Sequence, residues 1–354
     1  MLASRAMSTL ALDAMGGDFA PEAPIRGAAQ LSLEPHAPRV LLVGDEARVR
    51  ALLATLPHDA ARLEVRHAPD VITMDDDPRA VDERPNASLP VAARMVRDGQ
   101  ADALVSAGNT GAVILACARS FQRLEGVSRC ALGAVYPTER RRGEKNDPFS
   151  LILDAGLTLD VTADDLVGFA IMGAAYASRI SRNPRPHVAL LSNGSEPHKG
   201  PAEIVEAHRR LSALGSLYFI GNVEGMDIPK GTADVVVTGG FVGNIVLKML
   251  EGVADAVKNL GRYALKKSVV YKAGLALLSP AVRELRQITD WEQYGGAPIL
   301  GFDHICIKAH GRSSERALKN ALKVAHRSVE TGLVQAIREG MAEAHRGLPA
   351  EGPR

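Results

Sequence analysis

The chain lacks several features that would have decided its class outright. Its 3 cysteines, Cys117, Cys130 and Cys306, are odd in number and without metal-ligand spacing. That excludes a disulfide framework or a zinc module and fits a reducing cytosol. The 42 Lys and Arg residues are matched by 41 Asp and Glu, leaving a net charge of +1. No basic excess exists to release counterions, so nucleic acid is excluded as a partner. No apolar run approaches the roughly 18 residues needed to span a bilayer. Residues 1–8 precede a strand carrying Asp13 and contain no apolar signal-peptide core. They read as a disordered leader, with Met7 as an alternative start, and the chain reads as cytoplasmic. Gly-x-Ser-x-Gly, His-Glu-x-x-His and Cys-x-x-Cys are all missing, which argues against hydrolase, zinc-peptidase and thiol-redox chemistry. No metal or cofactor motif stands out, and there is no internal repeat.

What is present is an alternation. Hydrophobic residues make up 46% of the 354 and charged residues 23%, ample for a large core. Short apolar runs such as Leu10–Ala14, Val40–Val43, Ala103–Ser106, Leu151–Leu153, Val188–Leu191 and Ile305–Lys308 read as strands. Between them lie segments of helical period, including Leu89–Arg97, Ala112–Leu124, Asp164–Ile180 and Ala202–Leu214. Strands apolar on both faces, alternating with helices, predict an α/β fold with a largely parallel sheet covered on both sides. We expect a single α/β/α domain over residues 9–335, a helical arm over about 245–290, and a C-terminal tail from 336. The charged run 139–147 reads as a solvated hairpin turn. In the arm, Lys258, Arg262, Lys266, Lys267 and Lys272 are set against Leu260, Leu265, Val269, Val270, Leu277 and Leu278. Such a basic amphipathic stretch suits either a partner subunit or an anionic membrane surface.

In parallel sheets ligands bind beyond the carboxyl ends of strands, and here several strands end in turns rich in Gly, Ser and Asn. Asp13-Ala-Met-Gly16-Gly17-Asp18 offers two glycines for close backbone approach, flanked by carboxylates. Ser106-Ala-Gly108-Asn109-Thr110-Gly111 leads into a helix N-terminus, where N–H groups and the dipole favour an oxyanion. It is neither a Walker loop nor a dinucleotide fingerprint. Ser192-Asn193-Gly194-Ser195-Glu196-Pro-His198-Lys199-Gly200 has the densest set of donors, and Thr238-Gly239-Gly240-Phe-Val-Gly243-Asn244 opens the long helix. Finally, Tyr294-Gly-Gly-Ala-Pro298 precedes the strand that ends in Lys308-Ala-His310-Gly. Cation, imidazole and exposed N–H groups at one strand end suit phosphate first. Each turn also has a plainer reading as a capped or solvated loop. Cys306 alternates with Ile305 and Ile307 as a strand residue would, although it lies near Lys308.

Together and in this order, these turns resemble the bacterial phosphate acyltransferases of phospholipid synthesis, from Leu12 to about Ala325. Gly221-Asn-Val-Glu-Gly225 and Gly240-Phe-Val-Gly-Asn-Ile-Val-Leu-Lys248 add to the match. The resemblance implies a Rossmann-like α/β/α sandwich related to phosphotransacetylases, a homodimer, and peripheral membrane association through the arm. It implies transfer of an acyl group from acyl carrier protein to inorganic phosphate, with a membrane glycerol-3-phosphate acyltransferase downstream. On that basis Lys199, Lys308 and His310 are expected to hold phosphate, and Asn109, Thr110 and Ser195 to bond phosphate or a tetrahedral oxyanion. Asp13 is expected to orient a cationic partner. Gly16, Gly17, Ser106, Gly108, Gly111, Asn193, Gly194 and Asn244 are expected to line the substrate site. Three departures stand out: Arg84-Pro85-Asn-Ala-Ser88 replaces a Lys-Lys-Asp-Ser-Ser run, Thr158 replaces an Asn, and Gly239 stands where an Asp is usual.

Overall fold

The computed structural model describes residues 7–142, 147–280 and 295–347. Its strands, in chain order, are β1 (Thr9–Asp13), β2 (Arg39–Gly44), β3 (Leu63–His67), β4 (Ala103–Ser106), β5 (Ala131–Arg142), β6 (Asp147–Leu153), β7 (His187–Leu191), β8 (Tyr218–Val223), β9 (Val235–Val237), β10 (Ala297–Leu300) and β11 (Ile305–Lys308). They form one 11-stranded sheet in the order β3-β2-β1-β4-β11-β10-β5-β6-β9-β7-β8. The expected leader falls largely on residues 1–6, outside the described residues. The expected hairpin at 139–147 is the connection of antiparallel β5 and β6, its residues 143–146 again outside them.

Strand sense divides the sheet. The run β3-β2-β1-β4-β11 is parallel throughout, and so is β6-β9-β7-β8. Between the two runs, β11–β10, β10–β5 and β5–β6 are antiparallel. Three reversals leave the two parallel runs pointing in opposite directions. The carboxyl ends of β1, β4 and β11 therefore lie at one end of the strands, and those of β6, β7 and β9 at the other.

The alternation of side chains sorts the core into layers. In the first half, Leu10, Leu12, Val40, Leu42, Ala103 and Val105 face Ile25, Leu318 and Leu322 of the helices Glu22–Ser32 and Glu315–Glu330. Ala11, Leu41, Val43, Leu104 and Cys306 face the opposite way, onto Leu89, Ala92, Val113 and Ala116 of the helices Ser88–Arg97 and Thr110–Ser120. The second half repeats the arrangement. Leu151, Leu153, Val188 and Leu190 pack on Phe169 and Leu211 from the helices Ala163–Ile180 and Ala202–Ala213. Ile152, Ala189 and Val236 pack on Val246 and Leu250 of the long helix Gly240–Lys267. Each fully buried Leu or Ile contributes about 1.5–3 kcal/mol, and the two-sided burial makes the sheet the rigid part of the molecule.

Two expectations about the ends of the fold change. The stretch from 336 is not a tail: the helix Leu333–Gly347 buries Leu333, Ile337, Met341 and Ala344 in the second-half core. Apolar residues at helical spacing gave it a face to bury. The arm begins at Gly240 and continues through Val269–Leu277; its expected end at about residue 290 lies outside the described residues. Along it Phe241, Ile245, Met249, Val253, Val257 and Leu260 repeat every three or four residues and stay exposed. Lys258, Arg262 and Lys266 repeat on the opposite side of the cylinder. No helix among the described residues is long and apolar enough to cross a membrane.

Candidate active site

Register builds the first cluster. Leu12 is level with Val105 on β4, which is level with Ile307 on β11, and Lys308 is level with Ser106. Asp13, Ser106 and Lys308 therefore end three neighbouring strands side by side. They point to the same face as Ala11, Leu104 and Cys306, towards the starts of the helices Ser88–Arg97 and Thr110–Ser120. The Ser88 hydroxyl donates to Asp13 Oδ1 (2.6 Å) and the Ser106 hydroxyl to Asp13 Oδ2 (2.7 Å). Ser106 Oγ in turn accepts from the Gly108 N–H at 3.0 Å. Gly16 has no room for a side chain, which would strike the Asp13 carboxylate and the Gly108 nitrogen. Gly17 takes φ +105°, a left-handed conformation that favours glycine. The Asp18 N–H donates to the Gly311 carbonyl at 2.8 Å, joining the first turn to the last.

The electrostatics follow from burial. Asp13 is held above its usual carboxylate range by desolvation, which the hydroxyls of Ser88 and Ser106 partly offset. Lys308 is buried, and desolvation lowers its ammonium pKa to about 8, against the pull of Asp13 and Asp18. Its Nζ donates to the Ala309 carbonyl. His310, at the rim, is pushed down first by desolvation and then by the charge of Lys308, while Glu251 from the long helix acts the other way. Both groups are thus held in a setting that resists their protonated, charged forms. An anion entering between them would relieve that cost.

Asn109 is already employed. Its Oδ1 accepts from the Ala112 N–H at 3.1 Å, capping the helix, and its Nδ2 donates to the carbonyls of Met74 (3.0 Å) and Asp76 (3.2 Å). It clamps the 71–88 loop over the site, with Thr110 and Gly111 beside it. Arg84, at the first departure, is likewise committed, to the Val71 carbonyl and the Asp76 carboxylate. Its guanidinium holds Asp76 well below the usual carboxylate range.

The remaining candidates lie in the other half. Asn193, Gly194, Ser195 and Lys199 follow β7, six strand steps from β4 and at the end of a strand of opposite sense. Spacing of about 4.8 Å per strand separates the two strands by about 29 Å of sheet. The turn is closed by the Lys199 N–H donating to the Glu196 carbonyl (3.0 Å) and the Ser192 hydroxyl to the Lys199 carbonyl (3.0 Å). Ser195 and His198 are exposed. Asn244 sits near the start of the long helix Gly240–Lys267, against Gly156 of a third turn. There the buried Asp154 carboxylate accepts the N–H groups of Leu132 (2.9 Å), Gly156 (3.1 Å), Leu157 (3.0 Å) and Thr158 (2.5 Å). The Thr158 hydroxyl is spent on the Cys130 carbonyl at 2.9 Å. A side chain at Gly239 would meet Val161, so this chain has filled the space an Asp would need. Sequence reading missed Ser88 and Asp154 as organising residues; a buried strand-end Asp before a glycine was the available signal for the second. All three cysteines are buried, and burial raises the thiols of Cys117 and Cys130, away from nucleophilic thiolates.

The model of a family described as fatty acid synthesis protein matches residues 8–336. A phosphate acyltransferase of Elusimicrobium minutum is 44% identical over 336 residues, covering 94% of this chain and 96% of its own. The chain belongs to the phosphate acyltransferase family. A second member, from Myxococcus xanthus, is 43% identical over 343 residues, covering 96% of this chain and 95% of its own. Membership makes the protein an acyltransferase of fatty acid and lipid synthesis. A phosphotransacetylase from Streptococcus pyogenes superposes with a TM-score of 0.62 at 18% identity, covering 92% of this chain and 94% of that one. That likeness establishes a Rossmann-like α/β fold of the phosphotransacylase type, as expected from the sequence.

Proposed function

We propose that the protein transfers a fatty acyl group reversibly from acyl carrier protein to inorganic phosphate, giving an acyl phosphate for phospholipid synthesis. The observation that carries this reading is the buried Lys308 beside His310, level with the Asp13–Ser88–Ser106 network. A phosphate oxygen attacks the thioester carbonyl carbon, the C–S bond breaks, and the carrier leaves as a thiolate that takes a proton. Lys308 and His310 hold the phosphate and balance its charge. The N–H groups at the start of the helix Thr110–Ser120 stabilise the tetrahedral oxyanion, a contribution typically of about 3–4 kcal/mol. Holding the two reactants together supplies a further part of the barrier reduction, up to about 7–11 kcal/mol. No covalent enzyme intermediate is needed. Asn193, Ser195 and Lys199, about 29 Å of sheet away and at the opposite strand ends, take no part in this step, and Asn244 braces the third turn.

On the same reading the protein works as a homodimer at the inner membrane surface, delivering acyl phosphate to a membrane glycerol-3-phosphate acyltransferase. The exposed apolar row from Phe241 to Leu260, with its basic opposite side, supports it. The test is phosphate-dependent loss of acyl-carrier thioester with release of the free carrier thiol. Consumption that proceeds equally without phosphate, or no consumption of a bound thioester, would sink the proposal. Acetyl-coenzyme A should be turned over poorly in the same assay.

A further inference from the structure

A cavity of about 490 Å³ opens where the helix Thr110–Ser120 ends against the turn 154–160 and the β10–β11 connection. Its apolar wall includes Ile114, Phe121, Leu157 and Phe302, and Arg123 and Arg129 also line it. The volume falls within the range of small-molecule sites, about 300–1,000 Å³. Phe121 and Phe302 pack edge to face, with ring centroids 6.0 Å apart, which fixes that wall. Arg123 donates to the Ser128 carbonyl, whereas Arg129 has no ion-pair partner among the described residues. Asp160 is the acidic residue that reaches the cavity, so the lining is net positive.

The cavity is not the Lys308 cluster. Phe302 precedes Lys308 by six residues on the same hairpin, a span of up to about 20 Å in extended chain. It lies where β11 begins and the cluster lies where β11 ends. An apolar slot with two guanidinium groups matches one ligand chemistry: a single alkyl chain with an anionic head. Arg is well suited to carboxylate and phosphate heads.

We infer that this cavity is a second binding site, for a single-chain anionic amphiphile such as a fatty acid or alkyl phosphate. It deepens the lipid reading above by adding a place where a product-like or precursor-like molecule is held away from the reacting groups.

Calorimetry on the full chain with dodecyl phosphate, dodecanoate and dodecyltrimethylammonium, all below their micelle concentrations, tests the site. Saturable binding of the two anions and none of the cation is expected, and comparing the two anions separates a phosphate from a carboxylate head. Arg123→Ala/Arg129→Ala should weaken binding at least about tenfold by removing charge-assisted hydrogen bonds. Ala118→Trp, at an exposed helical position, should abolish it by filling the cavity while leaving phosphate-dependent turnover within about twofold. Equal binding of the cation, or unchanged binding in both variants, overturns the inference. So does loss of turnover in step with loss of amphiphile binding, because the cavity would then be the acyl substrate's own channel. Absence of turnover in wild type would sink the acyl-transfer reading while leaving the amphiphile site standing on its own titration.

Discussion

The two halves of the sheet present two kinds of strand-end turn, and the contrast lies in burial. At the first, Asp13, Ser106 and Lys308 are buried side by side, with Ser106 hydrogen-bonded to Asp13 and Lys308 to the Ala309 carbonyl. At the second, Asn193, Ser195, Glu196 and His198 stand exposed on a turn held by the Lys199 N–H, the Ser192 hydroxyl and the Asn222 amide. The second is richer in donors, yet the first is the one whose groups are preorganised in a low dielectric. Such groups act far more strongly on a bound anion than solvated ones do. The number of polar residues in a motif therefore says less about its chemistry than the register that buries them.

The sharpest way to break the comparison is Lys308→Met. If the buried ammonium stabilises the bound dianion and transition state, turnover should fall about 10²–10³-fold with the fold intact by circular dichroism. Loss of less than threefold would move the chemistry elsewhere. The same residue sets a pH limb. Its ammonium is lost as pH rises through about 8, so kcat/KM should decline above that pH. Lys308→Arg should shift or remove that decline.

Asp13 gives a stability test with a definite sign. Its pKa in the folded protein lies above 3.8, so its stabilising contribution is full below 3.8 and is lost as pH rises through the folded value. Asp13→Asn should therefore be more stable than wild type at neutral pH, by thermal melting. The advantage should fade as pH falls towards 3.8. An advantage that grows on acidification would contradict the burial argument.

Much of this contrast was legible beforehand. The strand-end glycines, the strand to Lys308 and both helical layers follow from alternation and turn chemistry. The reversal of sense between the halves did not. β10 is antiparallel to both its neighbours, so its two reversals cancel, and the net change of sense is made by the β5–β6 hairpin. The charged run marks the hairpin turn, but no spacing shows that its two strands join the two parallel runs into one sheet. Asn109 was read as a ligand-facing amide because a cap and a clamp draw on the same residue type; its three partners come from an Ala and two loop carbonyls that no spacing reveals. The final helix was mistaken for a tail because Gly332 and the short run behind it hid an apolar face that only the second-half core explains.

Smaller effects sharpen the picture from the other side. Lys199→Ala should leave turnover within about threefold, with the melting temperature unchanged, because its turn lies at the opposite strand ends. A loss as large as that of Lys308→Met would make the exposed turn an equal partner. Asn109→Ala removes a helix cap worth about 1 kcal/mol and releases the 71–88 loop. A melting point lowered by a few degrees and a modest rise in the phosphate KM are expected.

The site at which phosphate binds decides between the two turns. Titration of inorganic phosphate onto the wild type, Lys308→Met and Lys199→Ala, followed by calorimetry at pH 7, tests that directly. Saturable binding that Lys308→Met abolishes and Lys199→Ala leaves within about threefold is predicted. Binding that survives Lys308→Met and disappears in Lys199→Ala would place phosphate on the exposed turn and contradict the account.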